Sequence, residues 1–366
     1  MHRIRNKKTL LALTCFVLAS AEVFAQTSNS HAGSLSVVAS TVPPNGDVNP
    51  YGIARVARSK GSLVEGNILV SNFNSSANLQ GTGTTIVQIS PQGNVSLFAQ
   101  INANALPGPC PGGIGLTTAL SVLRSGWVIV GSLPTTDGTS ATAQAGCLLV
   151  LDSSGNVVET FYGSLINGPW DMTALDSGAS SDLFVTNVLN GTVAGGGNVV
   201  HGGTVLRISL NGLFGSMPNL QAMEVIGSGF SERTDPAALV IGPTGVGLSP
   251  NADMLYVADS LNNRVAAIPD PVSRVSSAGT GATLTQGGAL NDPLGLAVTR
   301  DGNVLTVNGN NGFLVETTPN GAQIFKKLLD NNGTPPGSGA LFGLVPVAGQ
   351  GLYYVDDATN TLNLFN

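Results

Sequence analysis

The sequence predicts an all-β protein, a six-bladed β-propeller whose ring is closed by a strand from the N-terminal end of the chain. Three observations carry this. The 366 residues are 42% hydrophobic but only 5% aromatic and 10% charged, and 48 glycines and 20 prolines cut them into short strands rather than long helices. The stretch M-L-Y-V-A-D-S-L-N-N-R-V at 254–265 is an apolar strand, a polar turn opened by Asp259 and a second strand starting at Arg264, and variants of it recur along the chain. A β-rich run at 34–40, S-L-S-V-V-A-S, has no hairpin partner beside it, whereas the last repeat unit ends without a fourth strand.

Taken in order, the chain opens with His2, Arg3, Arg5, Lys7 and Lys8, an apolar run at 9–20, and Val23-Phe24-Ala25 before Gln26. A basic start, a short apolar segment and small residues at the end make a secretory signal peptide over residues 1–25, cleaved after Ala25, and an exported protein, periplasmic or extracellular. Acylation at Cys15 would need a small residue before it, and Thr14 stands there. Residues 26–33 read as a flexible leader, and 34–366 as one domain. No later stretch is apolar for the ~18 residues of a membrane span.

Six units then open with a short Gly- or Pro-containing strand: Pro50-Tyr51-Gly52-Ile53, Gly113-Ile114-Gly115-Leu116, Pro169-Trp170-Asp171-Met172, Pro243-Thr244-Gly245-Val246, Pro293-Leu294-Gly295-Leu296 and Leu341-Phe342-Gly343-Leu344. Second strands follow at 68–72, 128–132, 183–187, 255–259, 305–309 and 352–356, most ending in Asn, Asp or Ser, which bond the amides of the next turn. Third strands lie at 85–90, 147–152, 204–209, 264–268 and 313–317, with outer strands at 95–99, 157–162 and 323–328. Four short antiparallel strands per unit make a propeller blade. The openings are 63, 56, 74, 50 and 48 residues apart, so the first three units carry insertions, read as loops at 132–146, 190–203 and 211–229. The sixth unit stops at its third strand, 361–365, and residues 34–40 are left to complete it.

The Pro-x-Gly-apolar strand, the L-Y-V-A-D strand and the N-N-R-V turn at 262–265 resemble the NHL repeat. The likeness is close over 243–268, fair in the first, third, fifth and sixth units and weak in the second. Asn263 and Arg264 occur only in the fourth unit. The resemblance implies an NHL/TolB-like six-bladed propeller and leaves its ligand open.

Composition restricts partners. Without the leader, four basic residues and one acidic residue are lost, leaving 11 Lys+Arg against 20 Asp+Glu, a net charge near −9 that repels nucleic acid and anionic lipid. Cys110 and Cys147 remain in an oxidising compartment. They are read as one disulfide closing a loop of about 36 residues, worth ~3 to 4 kcal/mol in a chain-entropy model, with two free buried thiols as the other reading.

Candidate chemistry is sparse. Only His31 and His201 follow the leader, which argues against propeller lyases that use clustered histidines and against a Ser-His-Asp arrangement. The gluconolactonase and paraoxonase type of propeller, which this fold resembles, holds Ca²⁺ or a similar cation on the axis with Glu, Asn and Asp at the starts of inner strands. The corresponding positions here are Tyr51, Ile114, Trp170, Thr244, Leu294 and Phe342, and the nearest oxygen donors are Asp171, Asp292, Asn49 and Asn167, which equally suit turn caps. Tyr51, Trp170 and Phe342 either ring one mouth of the channel as flat faces for a ligand, or pack between blades. The expectation is a monomeric, non-catalytic binding or scaffolding module without cofactor, for a protein, peptide or saccharide ligand. The alternative is a lactonase, hydrolase or lyase with an axial divalent cation.

Overall fold

Each of six apolar strands ends in Asn, Ser or Asp (Asn74, Ser132, Asn187, Asp259, Asn308 and Asp356), and at each the chain turns into an antiparallel neighbour. Nearby polar side chains hold these turns: Asn187 Oδ1 accepts the Gly168 N–H at 2.7 Å, and Asn308 Nδ2 donates to Ala289 O at 2.8 Å. In the computed structural model the described residues are 33–366 except Ser216. The signal-peptide reading, Cys15 and His31 lie outside them.

The strands form six sheets. The first blade is Val48–Arg55, Ile68–Asn74, Thr85–Ile89 and Val95–Gln100, and the second is Leu116–Val122, Val128–Ser132, Cys147–Leu151 and Val157–Phe161. The third has five strands: Pro169–Asp176, Ser181–Asn187, Val200–Asn211, Asn219–Asp235 and Leu239–Ile241. The fourth is Pro243–Leu248, Met254–Asp259, Arg264–Pro269 and Ala282–Gln286, and the fifth is Pro293–Val298, Val304–Asn308, Phe313–Thr317 and Gln323–Leu328. The sixth combines Leu341–Val347, Gly351–Asp356 and Thr361–Phe365 with Leu35–Ser40, so the N-terminal strand closes the ring as the sequence predicts. Among the described residues, no helix is long and apolar enough to cross a membrane.

Burial is greatest between blades. Leu69 and Ile86 of the first blade share a cluster with Leu120, Val130 and Leu149 of the second, and every adjacent pair around the ring has such a cluster. Each buried Leu or Ile contributes about 1.5–3 kcal/mol on transfer from water, so the ring is held by its inter-blade seams. Cys110 and Cys147 form the expected disulfide, with S–S 2.10 Å.

The third blade departs from expectation. Residues 190–203 and 211–229 are loops only in part: a short helix, Thr192–Gly195, leads into the strand Val200–Asn211, which pairs with Asn219–Asp235 out to Val200↔Glu232. The glycines of this stretch disfavour a strand locally, and the ladder comes instead from pairing with a segment about 30 residues further along the chain.

Candidate active site in the central channel

Strand register decides which residues share a level on the axis. Pro50, Pro169, Pro243, Pro293 and Leu341 pair with Asn72, Asn187, Asp259, Asn308 and Asp356, which places Tyr51, Trp170, Thr244, Leu294 and Phe342 on one ring. The second blade differs. There Leu116 takes the pairing with Ser132 and Leu120 pairs with Val130, a step of four residues where the first blade takes three from Pro50 to Ile53. This bulge puts Thr117 and Thr118 at the level assigned from the sequence to Ile114, which lies instead among the buried residues between the first and second blades.

At this level the axis is filled. The Tyr51 ring stacks on Phe342 at 3.8 Å between centroids and on Phe73 at 4.5 Å, and Trp170 lies 6.1 Å from Phe342. Exposure of Tyr51, Trp170 and Phe342 is 2%, 3% and 0%, so their faces cover one another across the ring and none is open to a ligand. Leu294 and Thr244 are equally buried. The extension of the third blade completes the plug: Ala238, Leu239, Val240 and Ile241 join the same cluster, and Trp170 Nε1 donates to Val240 O at 3.0 Å.

Beyond the plug the channel widens into a cavity of about 560 Å³, to which all six inner strands contribute. The level next to the plug consists of Gly52, Ala119, Asp171, Gly245, Gly295 and Gly343. The glycines are required by crowding: a Cβ on Gly295 would lie 1.7 Å from Phe342 O, and one on Gly245 2.4 Å from Leu296 N. Asp171 is the one long side chain on this level. Its Oδ2 accepts the Val246 N–H of the next blade at 3.0 Å, and its Oδ1 accepts the Met172 N–H at 2.8 Å. Burial outweighs these two bonds and pushes its pKa up to about 7.

The other oxygen candidates do not join it. Asp292 adopts φ 56° and its N–H donates to Asn263 Oδ1 at 2.6 Å; burial and then Asp235 push its pKa to about 6, against Arg233. The Asn49 N–H donates to Asn360 Oδ1 at 2.8 Å, and the Asn167 N–H to Asn187 Oδ1 at 3.1 Å. Asp292 and Asn167 precede inner strands, Asn49 lies near the start of one at φ 57°, and of the four candidates only Asp171 lines the cavity. Among the described residues, no group of three or more His, Cys, Asp or Glu is arranged to hold a metal ion. The ring positions carry Tyr51, Trp170, Leu294 and Phe342 beside the hydroxyls of Thr117, Thr118 and Thr244, with no carboxylate among them, so the axial cation implied by the gluconolactonase resemblance does not fit them. His201 lies on Val200–Asn211, its Nδ1 3.2 Å from Ser231 Oγ, and does not line the cavity.

Sequence reasoning missed Arg55 and Thr118, which line the cavity and carry buried polar atoms without a partner, Arg55 Nε and Thr118 Oγ1. The available signal for Arg55 was a charged residue following Y-G-I-A in a chain of only 15 Lys+Arg. Thr118 was hidden by the bulge.

No protein-family model and no curated protein matches the chain. Solved structures do. A gluconolactonase from Xanthomonas campestris is similar over 91% of this chain and 89% of its own, at 13% identity and TM-score 0.57. A calcium-binding regucalcin from Agrobacterium tumefaciens matches over 89% and 92% at 12% identity and TM-score 0.53. A streptogramin B lyase matches over 91% and 97%, also at 12% and 0.53. At these identities the likeness is one of fold, the six-bladed propeller, and NHL membership rests on the sequence resemblance alone.

Proposed function

We propose that the protein is an exported, monomeric propeller enzyme of the lactonase, hydrolase or lyase class, working in the channel with Asp171 as its acid–base group and without an axial cation. The observation that carries this is the Asp171 carboxyl, lining a cavity at a level otherwise built of glycine and alanine, with a pKa raised to about 7. Near neutral pH such a group populates both protonation states, so it can take a proton from water or carbon and return it to a leaving group. The two backbone N–H groups on its oxygens fix the carboxyl's orientation and leave its remaining lone pairs for the cavity. The named activities of the solved propellers, a gluconolactonase and a streptogramin B lyase, support the class. Export is supported by the N-terminal leader and the Cys110–Cys147 disulfide.

The test is turnover of a panel of lactones, esters and cyclic depsipeptides by the wild type and by Asp171→Asn. The variant loses 10²–10⁴-fold in kcat/KM, the range of general acid–base catalysis, while its circular dichroism stays native. The wild-type profile bends near pH 7. A second reading, the non-catalytic binding module, is favoured by the same two hydrogen bonds, because Asp171 also bridges the third and fourth blades. Full activity in Asp171→Asn, or no turnover of the panel by the wild type, selects that reading.

A further inference from the structure

The cavity wall carries an unanswered positive charge. Arg55 ends the inner strand of the first blade and lines the cavity, and its Nε is buried without a hydrogen-bond partner. Ion pairs among the described residues join Arg207 to Glu224, Arg233 to Asp235 and Arg264 to Asp259, and none of them includes Arg55. A buried guanidinium N–H left unpaired carries the full desolvation cost of a charged donor, and native proteins keep few such groups. The other acid on this wall is engaged: Asp176 Oδ2 accepts the Arg124 N–H at 2.6 Å and Oδ1 the Gly178 N–H at 2.7 Å. Arg124 itself lines the cavity, adding a second positive charge in a protein of net charge −6. At the closed end Thr118, 3% exposed, lines the cavity where it meets the plug, and its Oγ1 is a second buried polar atom without a partner. Between the two lie apolar walls, among them Leu120, Leu296 and Leu344.

We infer that the channel recognises a small amphiphilic carboxylate. Its carboxylate lies on the Arg55 guanidinium, its apolar body runs along Leu120, Leu296 and Leu344, and an oxygen at its far end reaches Thr118 Oγ1 near Asp171. A planar guanidinium matches a carboxylate with two parallel N–H···O bonds, which a neutral amide cannot replace. This deepens the proposed function, because it rests on the same channel and names the ligand class.

The probes are hexanoate, 6-hydroxyhexanoate and hexanamide, titrated into the full mature protein by calorimetry and thermal melt. Both acids bind and raise the melting temperature by mass action, and hexanamide binds at least tenfold more weakly. Arg55→Leu weakens both acids at least tenfold, while Arg55→Lys, which keeps the charge, falls between. Thr118→Val weakens 6-hydroxyhexanoate and leaves hexanoate unchanged. A melt of each variant without ligand separates lost binding from lost fold, and should Arg55→Leu not fold, Arg55→Lys and the acid–amide comparison decide. Equal binding of acid and amide, no binding of either acid, or unchanged affinity in Arg55→Leu overturns the inference. Asp171→Asn still binds hexanoate, so failure of the catalytic reading and failure of carboxylate recognition are told apart.

Discussion

Arg264 shows how much one side chain of the N-N-R-V turn holds. Its Nε and Nη2 lie 2.9 and 2.8 Å from Asp259 Oδ2, its remaining donors reach Thr280 O and Thr283 Oγ1, and the Asp259 side chain is 0% exposed. Burial raises the Asp259 pKa even with this partner. Arg264→Ala therefore strands a buried carboxylate with Asn262 alone, and a urea titration registers a loss of about 3–5 kcal/mol. The turn was legible because its chemistry is local: Asn263 sits at φ 47° and its Oδ1 receives the Asp292 N–H. The site was legible only in part. Asp171 was singled out as an oxygen donor for a cation, but its burial and its bonds to Met172 and Val246 depend on how neighbouring blades pack, which no spacing in the chain encodes. Ile114 was misplaced because a one-residue bulge leaves no mark in hydrophobic periodicity.

At the level of strands, closure of the ring carries a clear expectation. Leu35–Ser40 runs antiparallel to Thr361–Phe365, with Ala39 opposite Leu362, and Val38 and Ala39 pack on the core around Tyr353 and Val355. A chain that begins at Thr41 leaves Thr361–Phe365 as an open edge, so it melts lower and associates, as sedimentation and a thermal scan will register. This pairing could be read from the sequence because an orphan strand and an incomplete unit answer each other. The third-blade extension could not: its glycine-rich half has weak strand preference, and only the tertiary partner 219–235 makes it a ladder.

Across the whole molecule, burial raises acids more than partners lower them. Asp292 and Asp356 are pushed to about 6, Asp171 and Glu232 to about 7, and Asp357 is raised as well, each chiefly by desolvation. Between the ordinary carboxylate range and pH 7 the folded chain thus holds more protons than the unfolded one, and stability falls as pH rises through that window. Asp137, lowered by hydrogen bonds from Thr142 and Thr139, and Asp152, where burial raises the carboxyl but the hydrogen bonds from Asn156 and Ser154 together outweigh it, act in the opposite sense. Melts from pH 4 to 8 show the highest melting temperature on the acidic side, and a maximum at pH 8 would contradict the raised carboxyls. The aromatic plug has a different kind of consequence. A tube stoppered at one end has a single door, so whatever enters must leave the way it came, and no polymer can be drawn through it. Such a vessel reads ends and small molecules, and any action on a long chain is confined to its terminus.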